Sequence, residues 1–335
     1  MFVLVGDIGG TKTLLSIAQV TPPAGPGQAK ITFEGERRYD SHAFAGLAEM
    51  CQRYAADLGE PLPRAAAFGV AGPVVKGTSK ITNLPWIIHD GELRSTLGLD
   101  RCVLVNDFVA LAHGVTAVES SQLVTLHEGV SDPTGAIAVI GAGTGLGEAI
   151  AIREGDGSRR VLPTEGGHGT FAPRDELEMA IVRNLSPRWG RVSWERLLSG
   201  DGLVCLAEAI AAITGLPMPP PLWEQIQTNR HDAPSKVTEL ADAGDPLCKR
   251  ALELFCTIYG VEAGDFALRA MASCGVYVAG GIAPRILKHL QDGRFRSAYI
   301  DKGRMRRVVE PMPVRVVLDP QTPLRGSALL AAALV

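Results

Sequence analysis

The sequence is poor in aromatic residues, 5% of 335, and has no uninterrupted apolar stretch of about 18 residues, so no membrane span is expected. It has no basic excess. Lys and Arg number 33 against 36 Asp and Glu, a net charge of −3, which excludes a generally basic nucleic-acid binder. It has no CxxC pair. The six cysteines, Cys51, Cys102, Cys205, Cys248, Cys256 and Cys274, are scattered, which argues against zinc and for free thiols in a reducing compartment. The apolar start, Met1–Val5, has no basic lead and is too short for a signal peptide, so a cytoplasmic protein is expected. What is abundant is glycine, 38 residues without a G-X-Y period, which predicts tight loops rather than collagen. A hydrophobic share of 46% and a charged share of 21% are those of a globular chain, and the length suggests two domains.

Alternation and apolar runs predict strands at 2–5, 14–20, 31–33, 65–70, 102–105, 136–140, 148–152, 275–279 and 314–318. Apolar spacing of three and four predicts helices at 44–58, 108–115, 175–184, 193–198, 202–213, 235–243, 246–272 and 326–334, and another whose first turn holds Pro284. Pro22, Pro23, Gly25, Pro26 and Gly27 join the second and third strands, and Met218–Pro221 reads as a rigid break. A strand, a glycine loop and a second strand occur at 2–20 and again at 136–152, which points to two similar halves.

Glycines after a strand let main-chain N–H groups approach an anion, because no Cβ intervenes. Gly6, Asp7, Ile8, Gly9, Gly10 and Thr11 miss the G-x-x-x-x-G-K-T phosphate loop by one residue, since Thr11 stands where glycine is needed. Asp7 beside a phosphate is tolerable only if a bound Mg²⁺ offsets the repulsion, directly or through water. The run Gly141–Gly147, with Gly143, Thr144 and Gly145 at its centre, also misses the dinucleotide pattern G-x-G-x-x-G. Each loop is followed by a strand, so each is a hairpin turn. Two such turns, with Gly280 and Gly281 after a third strand, favour phosphate and nucleoside binding over plain turns.

Asp107 ends an apolar strand at a strand-to-helix turn. It suits two roles equally by spacing: a general base for an alcohol, or the N-cap of the helix at 108–115. Glu165 and His168 flank two glycines, a poor helix and a poor metal pair, and offer directional hydrogen bonds to hydroxyls if they are not simply a solvated pair.

The ordered set Gly6-Asp7-Ile8-Gly9-Gly10-Thr11, Asn106-Asp107-Phe108, Gly141–Gly147, Glu165-Gly166-Gly167-His168 and Ala279-Gly280-Gly281-Ile282 resembles bacterial glucokinases, of the sugar kinase/actin/Hsp70-like ATPase superfamily. Thr82-Asn83 with Trp86, Ser193-Trp194-Glu195-Arg196 with Leu198-Ser199-Gly200, and Pro284-Arg285 extend the likeness over nearly the whole chain. It implies an α/β, two-domain actin-like ATPase (ribonuclease H-like) fold with an interdomain cleft where nucleotide and sugar meet. The small domain is expected at 1–117 plus 318–335 and the large one at 118–317. The resemblance implies that Asp107 is the base and that Asn106, Glu165, His168 and Glu195 hold glucose. It also places Asn83 near the sugar, where a plain turn before Pro85 is an equal alternative. Phosphates of Mg·ATP are expected at residues 6–11 and 143–145, with Gly280 and Gly281 beside the nucleoside and Asp7 toward Mg²⁺ through water. A homodimer is implied. Thr164 departs from the glycine that some relatives carry before the Glu, and is expected to adjust that loop.

The rivals are a kinase for fructose, mannose or an N-acetylated amino sugar; a sugar-responsive repressor of the ROK group; and an actin- or Hsp70-like ATPase without a sugar. ROK repressors carry a DNA-binding segment before the first glycine loop, and ROK kinases a zinc-binding cysteine cluster; only five residues precede Gly6 and no such cluster occurs.

Overall fold

A computed structural model of the chain describes residues 1–22, 29–81 and 84–334. These divide into two compact units, one of residues 1–122, 154–163 and 319–335, the other of 123–153 and 164–318.

The first unit is built on a five-stranded sheet in the order Lys30–Asp40, Lys12–Thr21, Phe2–Ile8, Ala65–Val70, Arg101–Asn106. The first three are antiparallel neighbours and the last three parallel ones. Ala65–Val70 is buried along its whole length, as expected of a strand covered on both faces. One face packs Leu4, Ile8, Phe68 and Val70 against Met50, Cys51 and Tyr54 of the helix Leu47–Leu58. The other packs Val3, Val5 and Ala67 against Leu324, Ala328 and Ala331 of the helix Thr322–Ala332. That last helix lies against Asp107–Val115 with no room for side chains at the crossing: a Cβ on Gly114 would overlap the Thr322 carbonyl, and one on Gly326 the Ala110 carbonyl.

The second unit repeats the pattern. Ile137–Ala142 pairs antiparallel with Leu146–Arg153 and parallel with Gly275–Ala279, which is followed by parallel Val314–Val317 and antiparallel Leu123–His127. Helices Glu176–Trp189, Gly200–Thr214, Pro220–Asn229, Ala233–Asp242 and the long Pro246–Ala270 form the bulk of its core. The strand, glycine turn and second strand expected at both places form an antiparallel hairpin in each unit, and in each two parallel strands follow.

Several elements differ from expectation. The first strand runs on through Gly6, Asp7 and Ile8. The third pairs with the second as far as Asp40; its outer residues are exposed and carry no apolar periodicity, so the sequence did not reveal them. Residues 193–198 form no helix: the Trp194 and Glu195 N–H groups donate to Gly169 O and Gly167 O, and Ser193 bridges to Thr170. The buried Trp194, Leu197 and Leu198 imitate helical spacing there. The prolines at 219–221 start a helix rather than only breaking one, with Pro220 in its first turn, where a missing N–H costs nothing. Pro284 sits in a turn, and the short helix Leu287–Leu290 begins after it. Strands Val74–Val75, Thr78–Lys80 and Ile87–His89 are too short and Arg159–Thr164 too polar to have been found, and Leu123–His127 was not expected either. Five of the six cysteines are buried and all are free. No helix of the described residues is long and apolar enough to cross a membrane.

Candidate active site

In the first unit the chemistry gathers at the carboxyl ends of the parallel strands, where such sheets offer a crevice. Gly6 and Ile8 lie inside the first strand, Ile8 fully in the core, so the accessible turn is Gly9, Gly10 and Thr11. It is closed by Gly9 N–H donating to Lys12 O, 3.1 Å, and braced from outside. Buried Ser41 donates from Oγ to Gly9 O, 2.9 Å, meets Thr13 Oγ1 at 3.0 Å, and donates its N–H to Thr11 O. No sequence signal marked Ser41: its role exists only once the third strand ends beside the turn.

Asn106, not Asp107, caps the helix. Its Oδ1 accepts from Phe108 N–H and Val109 N–H at 2.9 and 3.3 Å, and its Nδ2 donates to Gly72 O, 3.2 Å. Asp107 becomes the first helical residue, with Oδ1 accepting from Phe108 N–H at 2.8 Å. Asp7 pairs with Gly69 in the sheet, and Gly69 has no side chain to fill the space beside the Asp107 backbone. Burial, with the Asp107 charge adding to it, pushes the Asp7 carboxyl up to about 6. Burial also raises Asp107, while hydrogen bonds from Phe108 N–H, its own N–H and the Asn106 side chain pull the other way. The charged group acting on Asp7 is therefore another acid. Negative charge left unbalanced in this way would suit a divalent cation, with Asp7 as the residue to hold it. Among the described residues no three His, Cys, Asp or Glu side chains are arranged to hold a metal by themselves.

In the second unit the turn after Ile137–Ala142 is closed by Gly143 N–H to Gly145 O, 2.8 Å, and anchored by Gly200 N–H to Gly143 O, 2.9 Å. Thr144 is exposed at its tip. The turn adjoins Gly280, whose φ of +82° and close packing on the Ala142 carbonyl exclude a side chain, while Gly281 faces open space. Ile282 N–H completes the junction by donating to Ala142 O, 3.3 Å.

Glu195 joins this turn to the Glu165–His168 segment. Its Oε2 accepts from Leu146 N–H at 3.0 Å, and a Cβ on Gly145 would approach that oxygen to 2.5 Å. Its N–H donates to Gly167 O, and its Oε1 lies 3.9 Å from His168 Nδ1. His168 Nε2 is 3.7 Å from Glu165 Oε2. The Glu165 and His168 side chains are 88% and 59% exposed, and Glu195 28%, so the first two keep most of their hydrogen-bonding capacity for a ligand. Thr164 ties the segment down: its Oγ1 donates to Glu148 O and accepts from Gly166 N–H. Arg191, which the sequence did not single out, donates to the His168 carbonyl at 2.5 Å. Asn83 lies outside the described residues. Trp86 is core, 3% exposed, with its indole N–H on Phe44 O.

A family model described as Glucokinase matches residues 4–334. The chain belongs to the glucokinase family. It is 38% identical to a glucokinase of Synechocystis over 346 residues, covering 98% of this chain and 97% of that one. It is 39% identical to a glucokinase of Zymomonas mobilis over 332 residues, with 98% and 97% covered. The crystal structure of a glucokinase from an Antarctic psychrotroph superposes with a TM-score of 0.86 at 30% identity, covering 99% of both chains. The fold is accordingly that of the actin-like ATPases, as the family resemblance implied.

Proposed function

We propose that the protein transfers the γ-phosphoryl group of ATP to the 6-hydroxyl of glucose, giving ADP and glucose 6-phosphate. Asp107 accepts the hydroxyl proton as the oxygen attacks phosphorus; without a base that alcohol is a poor nucleophile at neutral pH. The observation that supports this role is the division of labour at the strand end. Asn106 supplies the helix cap with its own Oδ1, so Asp107 is not needed as the cap and stands at the strand end as the first helical residue.

Glu165, His168 and Glu195 orient the sugar, with Asn106 and Asn83 in the same role. Charged and neutral acceptors and donors at fixed angles suit a ring of hydroxyls. The main-chain amides of Gly9, Gly10 and Thr11 and of Gly143, Thr144 and Gly145 receive the phosphates, with Gly6, Asp7 and Ile8 as the strand that delivers the first turn. Gly280 and Gly281 lie beside the nucleoside. Mg²⁺, when bound, neutralises charge on the β- and γ-phosphates, and Asp7 would hold it through water. Positioning and electrostatics supply most of the acceleration in phosphoryl transfer, which is why few side chains do chemistry. A cytoplasmic setting and assembly as a homodimer go with this reading on the family resemblance alone.

The test is ADP production with ATP across glucose, fructose, mannose and N-acetylated amino sugars. The expected result is the highest kcat/KM for glucose. A higher value for another hexose removes glucose as the substrate, and equal ADP production without any sugar removes the kinase.

A further inference from the structure

The second unit holds a buried acidic pair that phosphoryl transfer does not use. Glu148, on the strand Leu146–Arg153, and Glu262, on the helix Pro246–Ala270, are both essentially without solvent exposure. Arg269, two turns along from Glu262 and stacked on Phe266, ion-pairs with Glu262 and lies 4.0 Å from Glu148 Oε2. The other oxygens, Glu148 Oε1 and Glu262 Oε2, have no hydrogen-bond partner among the described residues if both groups are ionised. One proton between the carboxyls satisfies both and leaves a neutral set of one acid, one carboxylate and one guanidinium. Burial pushes both carboxyls up, Glu262 the more strongly because Glu148 sits against it. The remaining groups that face the set are Asp265, toward Arg269, and the Tyr259 hydroxyl, toward Glu148.

This pair lies directly under the Glu165–His168 segment. A Cβ on Gly166 would overlap the Glu148 carboxylate, and one on Gly167 would overlap the Leu146 carbonyl. Neither glycine has a positive φ, so what forbids a side chain there is occupied space and not backbone conformation. The same strand holds the segment a second time, through the Glu148 carbonyl, Thr164 Oγ1 and Gly166 N–H.

We propose that Glu148 is a positioning residue: its carboxyl, fixed by Glu262 and Arg269, is the floor on which the Glu165–His168 turn rests and sets the affinity for the hexose without touching it. This rests on the reading that Glu165 and His168 hold the sugar.

The experiment compares Gly166→Ala, Glu148→Ala, Glu148→Gln, the double variant Gly166→Ala/Glu148→Ala, and Glu165→Gln, reading KM for glucose and KM for ATP separately. Gly166→Ala is expected to raise the glucose KM about 20-fold and Glu148→Ala about fivefold, with the ATP KM within twofold. The double variant should return to about the level of Glu148→Ala, because removing the carboxylate makes room for the new methyl group. Glu148→Gln keeps the shape and the hydrogen-bond partners, and should leave both KM values within about twofold. A double variant no better than Gly166→Ala overturns the proposal, as does a glucose KM unmoved by Gly166→Ala. If Gly166→Ala does not fold, Glu148→Ala against Glu148→Gln decides: equal glucose KM values, or an ATP KM that rises as far as the glucose KM, overturn it. Glu165→Gln separates the two layers. If it leaves the glucose KM unchanged, the sugar site itself is misplaced and the proposal falls with it; if it raises that KM while the double variant gives no rescue, only the role of Glu148 fails.

Discussion

Asp7 and Asp107 in the first unit are half-buried, Glu148 and Glu262 in the second are fully buried, and the protein treats the two sets of acids in opposite ways. The glutamates have Arg269 and room for a shared proton. For the aspartates the charge acting on Asp7 is Asp107, and the bonds that Asp107 receives come from backbone N–H groups and Asn106. A pair that is neutralised in place serves architecture. A pair left with uncompensated negative charge stores an electrostatic cost that a ligand can relieve, and such costs gather at functional sites.

The strongest way to break this contrast is at Asp107. Asp107→Asn should lower kcat about 100- to 10,000-fold, with the glucose KM within a few-fold, as removal of a general base requires. A kcat within a few-fold of the parent would make Asp107 an ordinary first-turn helix residue. Glu165→Gln should raise the glucose KM about tenfold with kcat nearly kept, since a hydrogen bond to a charged group contributes roughly 1.5–3 kcal/mol.

Asp7 sharpens the contrast through stability. Its carboxyl is raised to about 6 from the ordinary value of 3.8, so the folded state binds this proton more tightly than the unfolded chain. The associated stability is fully present below pH about 4 and is lost as the pH rises through about 6. Asp7→Asn should therefore be more stable at pH 7 by about 1–3 kcal/mol and lose the slope between pH 4 and 6, while turning over ATP far more slowly. Urea unfolding at pH 4, 5, 6 and 7 measures this; a variant with the parent's pH slope would show that Asp7 is not under electrostatic tension. The smallest expected effect is at the brace of the first turn. Ser41→Ala removes bonds to Gly9 O and Thr13 Oγ1 and should raise the ATP KM about threefold to tenfold, leaving the glucose KM alone. An ATP KM unchanged by this variant would show that the turn holds its shape without Ser41.

Much of the fold was legible because buried parallel strands such as Ala65–Val70 and Gly275–Ala279 are unbroken apolar runs, and because a glycine turn between two strands is visible as composition. The exposed edge strand Lys30–Asp40 was cut short for the converse reason. At the candidate site, Asp107, Glu165 and His168 could be singled out as residue types at turns. That Asn106 takes the cap, that Glu195 closes the Gly143–Gly145 turn, and that Ser41 braces Gly9 could not, since each depends on which backbone groups remain unpaired after the strands have assembled.

What the sequence by itself determined was the class of chemistry and its address: glycine turns after strands, acids beside them, and an order of motifs that fits one family. What only the tertiary structure decided was the use of each acid. Glu148 reads in the sequence as one polar residue in an apolar strand, and Asp7 as one acid in a glycine loop. Their difference arises because a carboxyl group's behaviour is set by the charges and donors within a few ångströms, and Arg269 reaches Glu148 across more than a hundred residues of chain, while Asp7 is met by Asp107.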